Sequence, residues 1–192
     1  MPSAIVIGGG VAGLTAGAEL ADRGLLVTLF ERESVLGYHA SGRSAAMFEK
    51  GYGPAAVQHL TEASETAHIA AGVLSPRELM LVGSADQAAA FHADVAALNL
   101  AEIPPADAIS RVPILSAAKV THAALSPTAR DLDTDRVLQR AARRIRNAGG
   151  TIVTRADVRA IQHDGDGWTV STDDEVTANL LINAAGAWAD QL

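Results

Sequence analysis

The chain has 192 residues, 48% of them hydrophobic and 19% charged, with a formal net charge of −7. This is the composition of a folded globular protein, which excludes a disordered one, and the acidic balance excludes a nonspecific nucleic-acid surface. The chain has no cysteine, which also excludes disulfides, thiolate metal sites, a nucleophilic thiol and a flavin tethered through sulfur.

Ala4-Ile5-Val6-Ile7 is an apolar run that leads into Gly8-Gly9-Gly10-Val11-Ala12-Gly13, and helical spacing follows as far as Gly24. This pattern opens a dinucleotide-binding βαβ unit. Gly8 permits the tight turn out of the strand, Gly10 lets the backbone come up to a pyrophosphate, and Gly13 lets the helix lie close on the sheet. The pyrophosphate is expected against the N–H groups and positive dipole end of the helix beginning near Val11 and Ala12. Leu14, Ala18 and Leu20 are expected to face the sheet. Residues 25–30 read as a buried second strand closed by Glu31, which lies 18 residues after Gly13. An acid near that offset accepts hydrogen bonds from a ribose hydroxyl pair. It disfavours a ribose 2′-phosphate, and so NADP, leaving NAD and FAD.

Residues 32–40 lack periodicity and run into Ser41-Gly42-Arg43-Ser44-Ala45-Ala46-Met47. Small residues let the backbone touch a flat ligand, and Ser41, Arg43 and Ser44 are donors for phosphate oxygens; a simple linker is the other reading. Pro54 opens an amphipathic helix that extends to about Ala71, with Ala56, Val57, Leu60, Ala63 and Ala67 expected to cover a sheet face. A short strand at 79–82 and an alanine-rich helix at 85–98 follow the break at Ser75-Pro76. Pro104-Pro105 ends that unit, and the turn-rich text through Pro113 and Pro127 holds a strand at 120–125. Residues 77–133 therefore read as an insertion.

Asp133 is placed to cap a helix over 134–148, with Val137, Leu138, Ala141, Ala142 and Ile145 inward. Its arginines, Arg136, Arg140, Arg143, Arg144 and Arg146, spread over more than one face and read as a solvated surface. Strands at 151–154, 158–163, 168–172 and 175–177 follow. Asp164-Gly165-Asp166-Gly167 lacks the later ligands and closing glutamate of a calcium loop, so it reads as a hairpin turn. Residues 180–183 read as a central parallel strand. The six histidines show no metal spacing, and no metal is expected. Neither a phosphate loop ending in Gly-Lys-Ser/Thr nor a Gly-x-Ser-x-Gly elbow occurs, so Ser41 and Ser44 are ligand contacts and not nucleophiles. With no basic leader and no apolar run long enough to span a bilayer, a cytoplasmic protein is expected.

Gly8 to Gly13, Phe30-Glu31-Arg32-Glu33, the run from Gly37 to Ala46 and Asn183-Ala184-Ala185-Gly186-Ala187-Trp188 together resemble the FAD-dependent D-amino acid oxidase superfamily. Within it the resemblance is greatest to bacterial D-arginine dehydrogenase and D-amino acid dehydrogenase, and it spans essentially the whole chain. It implies an α/β fold in which residues 1–76 and 134–192 form a Rossmann-like FAD-binding domain and residues 77–133 a partial, inserted α+β substrate domain. It implies noncovalent FAD, with Gly8, Gly10, Val11, Ala12 and Gly13 at the pyrophosphate, Glu31 on the adenosine ribose and Arg32 by the adenine. Ser41, Gly42, Arg43, Ser44, Ala45 and Ala46 would pass the flavin, and Val158 would meet adenine through its backbone. Ala185, Gly186 and Trp188 would lie near the phosphates and ribityl chain.

The implied reaction oxidises an amine beside a carboxylate, hydride passing from the α-carbon to flavin N5 to give an imino acid. Relatives oxidising a hydroxy acid, glycerol phosphate or a secondary amine are the alternative, and a non-catalytic FAD-binding or assembly module is a third. Met47 stands where the D-arginine dehydrogenase pattern has histidine. Tyr52, in Gly51-Tyr52-Gly53, is retained and is the candidate for lining the substrate pocket. The strand at 79–82 offers no inward acid for a guanidinium unless Glu78 is used, so neutral or apolar D-amino acids are expected over D-arginine. The family's C-terminal half lies beyond Leu192. These residues are accordingly not expected to catalyse alone, and a second chain or a homo-oligomer is expected to complete the fold.

Overall fold

The computed structural model describes residues 1–126 and 128–192; Pro127, read above as part of the turn-rich text, lies outside the described residues. The chain opens with β1 (Ser3–Ile7), α1 (Val11–Asp22) and β2 (Leu26–Glu31). It continues through β3 (Met47–Phe48), α2 (Ala55–Ala71), β4 (Leu74–Pro76), β5 (Leu79–Gly83), α3 (Ala88–Ala97), β6 (Ala101–Ile103), α4 (Pro105–Arg111), β7 (His122–Ser126) and β8 (Arg130–Leu132). After α5 (Thr134–Asn147) come β9 (Thr151–Thr154), β10 (Ala160–His163), β11 (Trp168–Ser171), β12 (Glu175–Ala178) and β13 (Leu180–Asn183). Two compact units result, Met1–Ala45 with Thr134–Leu192, and Ala46–Asp133.

The first unit is built on a parallel sheet of order β13-β1-β2-β9. Successive side chains of a strand point to opposite faces, so the apolar run of β1 serves two cores. Ala4 and Val6 pack with Leu14 and Ala18 of α1 and with Leu138, Ala141, Ala142 and Ile145 of α5 on one face. Ile5, Ile7 and Phe30 pack with Val170 and Ala178 of the antiparallel β10-β11-β12 sheet on the other. Leu20 and Val137 are half-buried at the edges of the helical layer. The two helices are also tied by Arg144, whose guanidinium donates to Asp22 at 3.0 and 2.6 Å and to Glu19 at 2.6 Å. Asp22 and then Glu19 hold its pKa above the ordinary arginine value.

The β10–β11 connection is the expected hairpin. Asp164 Oδ1 accepts the N–H groups of Asp166 and Gly167, both at 3.1 Å, closing the turn. Residues 180–183 form β13, which is parallel as expected and pairs with β1 and with no second strand among the described residues. Its apolar character comes from the layers on its two faces, where Ile182 joins one core and Leu181 the other.

The second unit contains two three-stranded antiparallel sheets, β3-β8-β4 and β5-β7-β6. Its core is small, with Phe91, Leu100 and Ala124 buried and Leu79, Leu81, Val95 and Leu98 around them. The expected boundary at residues 76/77 moves to 45/46, because β3 and β4 both pair with β8 and so tie 46–76 to the insertion. Pro105 does not end a unit. It starts α4, in the first helical turn, where its missing N–H costs nothing.

The expectation that α2 covers a sheet face also fails, since none of its residues is buried and Leu60 is 69% exposed. The helix is anchored by polar and edge contacts. Lys50 Nζ donates to Glu65 at 3.0 Å, and the His68 ring meets Phe48 edge-on at 5.8 Å.

Partial burial lowers the His68 pKa below its ordinary 6.5. The unfolded chain therefore binds a proton there more readily than the folded one, so stability is full above pH 6.5 and falls as pH drops through that value. The expected result is a melting temperature that decreases from pH 7.5 to about 5.5, with a shallower slope in His68→Gln. Thermal melts of the two proteins across that range check it; identical slopes would show that His68 does not carry the effect.

Candidate cofactor site

At the carboxyl ends of β1 and β2 the first unit has a cavity of 520 Å³, within the size range of cofactor pockets. The sequence places its floor there for a physical reason. Gly8 has φ of +110°, a conformation open to glycine, and turns the chain from β1 into α1. A Cβ on Gly13 would run into the Gly8 carbonyl oxygen, so only glycine allows the helix to start this close to the strand. Gly10 is the N-cap of α1 and contributes no side chain to the cap. Ser41 supplies the missing function from 30 residues away: the Val11 N–H donates to its Oγ at 2.9 Å. That hydroxyl keeps its own proton for an anion at the helix end, where the first-turn N–H groups have no intrahelical acceptor.

Glu31 closes β2 beside this loop. Its Oε2 accepts the Gly9 N–H at 2.7 Å and its Oε1 accepts the Glu33 N–H at 2.8 Å, which fixes the carboxylate at the cavity wall. Each carboxylate oxygen retains a second lone pair, so the group can still accept from a diol. Next to it, Arg32 lies over the Trp188 ring at 4.7 Å, and the His39 ring packs against that indole with centroids 4.5 Å apart, tilted by 50°. Glu33 Oε1 holds His39 Nε2 at 2.9 Å, and Arg43 lies over Tyr38 at 5.5 Å.

Of the residues expected at the cofactor, Gly8, Gly10, Val11, Ala12, Glu31, Arg32, Ser41, Arg43, Val158, Ala185, Gly186 and Trp188 line this cavity together. Gly13 is buried behind it. Gly42, Ser44 and Ala45 are outside the lining; a Cβ on Gly42 would strike the Gly37 carbonyl, which explains the glycine by chain packing. Ala46 begins the second unit with φ of +55°, a strained value for alanine, and its carbonyl accepts the Leu132 N–H at 2.7 Å. Met47 sits opposite Asp131 in β3, and Tyr52 is 67% exposed on the following loop.

The lining also contains Tyr38, His39, Ala156 and Asp157, none of which sequence reasoning assigned to the cofactor. Their signal was position, since Tyr38 and His39 precede the small-residue run and Ala156 and Asp157 precede Val158. Among the described residues no helix is long and apolar enough to cross a membrane.

A parallel sheet with a glycine turn at a helix N-terminus, an acid closing the second strand and a cavity over both defines a dinucleotide-binding protein. The family model of the FAD dependent oxidoreductases, DAO, matches residues 3–192. The chain belongs to that family, and the cofactor of the family is FAD.

Glycine oxidase from Geobacillus kaustophilus is similar in structure, with 21% identity, a TM-score of 0.86 and coverage of 99% of this chain and 56% of the oxidase. L-alpha-glycerophosphate oxidase from Mycoplasma pneumoniae, solved with FAD bound, has 18% identity and a TM-score of 0.80 over 98% of this chain and 55% of its own. A curated relative, the carotenoid phi-ring synthase of Streptomyces griseus, is 54% identical over 41 residues, 21% of this chain and 8% of the synthase. The chain thus spans about half the length of the two oxidase structures. The site fits FAD on its own geometry: a helix N-terminus with glycine at its N-cap and the Ser41 hydroxyl beside it, a fixed carboxylate and an apolar cavity of cofactor size.

Proposed function

We propose that the whole protein oxidises the amine of a D-amino acid. The α-hydrogen leaves as hydride, the nitrogen releases a proton to water as the C=N bond forms, and water hydrolyses the imino acid to an oxo acid and ammonium. When bound, FAD accepts the hydride and its two electrons. The chain's own residues bind and orient. The loop from Gly8 to Gly13 and the Ser41 hydroxyl hold the pyrophosphate, Glu31 the ribose, and Arg32 and Val158 the adenine. Ala185, Gly186 and Trp188 follow the phosphates and ribityl chain, while Gly42, Arg43, Ser44, Ala45 and Ala46 lead past the flavin. In the second unit, Tyr52 is the candidate for lining the substrate pocket, and Met47 stands at the position that the resemblance associates with the flavin.

An amine substrate is supported by the resemblance of residues 37–46 and by the likeness to a glycine oxidase. The observation that carries the choice among amino acids concerns Glu78. This is the acid next to β5 that a guanidinium substrate would require, and it already accepts from Arg111 Nη1 at 2.7 Å. With Glu78 engaged and Met47 apolar, neutral side chains are favoured.

In the whole protein, kcat/KM for D-alanine or D-methionine should exceed that for D-arginine by about tenfold or more, the scale of one absent charged hydrogen bond. Steady-state rates with a dye acceptor check it, and a preference for D-arginine would defeat the reading. The glycerophosphate oxidase keeps a second reading in view. Turnover of glycerol 3-phosphate with no amino acid oxidised would establish that one, and FAD bound without reduction by any of these compounds would indicate a non-catalytic module.

A further inference from the structure

Among its described residues the second unit buries one carboxylate, and its two oxygens join a loop to a sheet. Glu49 follows β3 directly and is only 8% exposed. Its Oε2 accepts from Ser126 Oγ at 2.7 Å, and Ser126, the last residue of β7, is 2% exposed. Its Oε1 accepts the Gly51 N–H at 3.2 Å, and its main-chain carbonyl accepts the Tyr52 N–H at 3.3 Å. From the other side, Gln58 of α2 donates through Nε2 to the Gly51 carbonyl at 3.0 Å and the Gly53 carbonyl at 2.8 Å.

The main chain around Tyr52 is therefore gripped from both sides while the ring itself is exposed. An exposed ring takes its direction from the backbone beneath it, because little packing fixes its own rotamer. An apolar residue at position 49 would fill the same space but would leave the Gly51 N–H without this acceptor and the buried Ser126 hydroxyl with only Thr128 Oγ1, at 3.3 Å. A carboxylate supplies two acceptors on separate oxygens, one for the sheet and one for the loop.

We propose that Glu49 is a positioning residue for substrate binding: anchored on Ser126, it holds residues 50–53 in the shape that presents Tyr52 to the amine substrate. This rests on the reading above that Tyr52 lines the substrate pocket. Glutamine can replace the arrangement, its carbonyl taking the Gly51 N–H while its amide donates to Ser126 Oγ. Alanine cannot.

The test uses the whole protein loaded with FAD, with D-alanine and D-methionine as substrates, in four variants: Glu49→Ala, Glu49→Gln, Ser126→Ala and Tyr52→Ala. Glu49→Ala should raise KM about tenfold or more with kcat within about twofold, as expected when a binding group is misplaced while the chemistry is intact. The same variant should speed hydrogen exchange of the Gly51 and Tyr52 amides by about tenfold or more. Glu49→Gln should restore both, and Ser126→Ala, which keeps the Gly51 bond, should show both at smaller size.

Unchanged exchange in Glu49→Ala would overturn the inference, as would faster exchange with an unaltered KM. If Glu49→Ala fails to fold, unchanged exchange and KM in Ser126→Ala overturn it equally. Should Tyr52→Ala leave KM unaffected, or should neither amino acid reduce the flavin, the reading of the pocket falls and carries this inference with it. That failure is distinguishable, because it is seen in the Tyr52 variant or the parent protein.

Discussion

Gly13→Ala should unfold the first unit at a markedly lower temperature, whereas Gly10→Ala should leave the melting temperature nearly in place and weaken FAD. The two glycines are three residues apart, and the difference lies in what an added methyl would meet. At Gly13 it would run into the Gly8 carbonyl, in the turn that joins β1 to α1, and lie 3.2 Å from Val6 Cγ1 in the core of β1. Main chain and a core valine cannot move aside cheaply, so the cost is about 3 kcal/mol, or roughly 6–12 °C for a chain of this size.

At Gly10 the nearest atom is Ser41 Oγ at 3.2 Å, which a small rotation relieves. The methyl would, however, stand at the N-cap of α1, where the pyrophosphate is expected. Crowding there should weaken FAD by about 1–3 kcal/mol, roughly 5- to 150-fold. Thermal melts of the apoprotein and a FAD titration separate the two outcomes. A Gly10→Ala protein with parental FAD affinity would move the phosphate away from this loop.

Glu31→Ala should act on both quantities at once. The carboxylate accepts the N–H groups of Gly9 and Glu33, so its removal deprives the glycine loop and the segment after β2 of a shared acceptor. It also removes the proposed ribose acceptor. Losing hydrogen bonds to a charged group should weaken FAD by about 1–3 kcal/mol, with a lower melting temperature even in the apoprotein. Glu31→Gln keeps one acceptor oxygen and should fall between. If Glu31→Ala leaves FAD affinity unchanged and only the melting temperature drops, the residue is a brace for the loop and not a ribose ligand.

The parts of this fold that could be read from sequence are those with a local cause. An apolar run, three spaced glycines and a helix ending at Gly24 define β1, α1 and the start of β2 within a few tens of residues. Likewise, the inward stripe of Leu138, Ala141, Ala142 and Ile145 defines α5. The second unit was less legible because β3, β4, β6 and β8 have two or three residues each, too few to show alternation.

The helical period of α2 was correctly recognised, but period alone does not say what a face packs against, and Leu60 proved exposed. At the site, the loop and acid were legible because their spacing is fixed by the ligand. The grip of Arg32 and His39 on Trp188 was not, since it joins side chains about 150 residues apart that carry no shared pattern.

The parallel sheet has one more consequence, for the order in which the molecule forms. Ser3 bonds to Asn179, 176 residues away, and β2 finds β9 only after the whole of Ala46–Asp133 has been traversed. Loop closure over such distances is slow and brings no reward until both strands are present. The second unit has its pairings within its own span, so it can organise during synthesis while Ile5, Val6 and Leu29 still lack their partners. The emerging chain therefore carries an uncovered apolar β-α-β segment until residues 134–183 have been made, and that interval is when it is most exposed to aggregation and most dependent on chaperones.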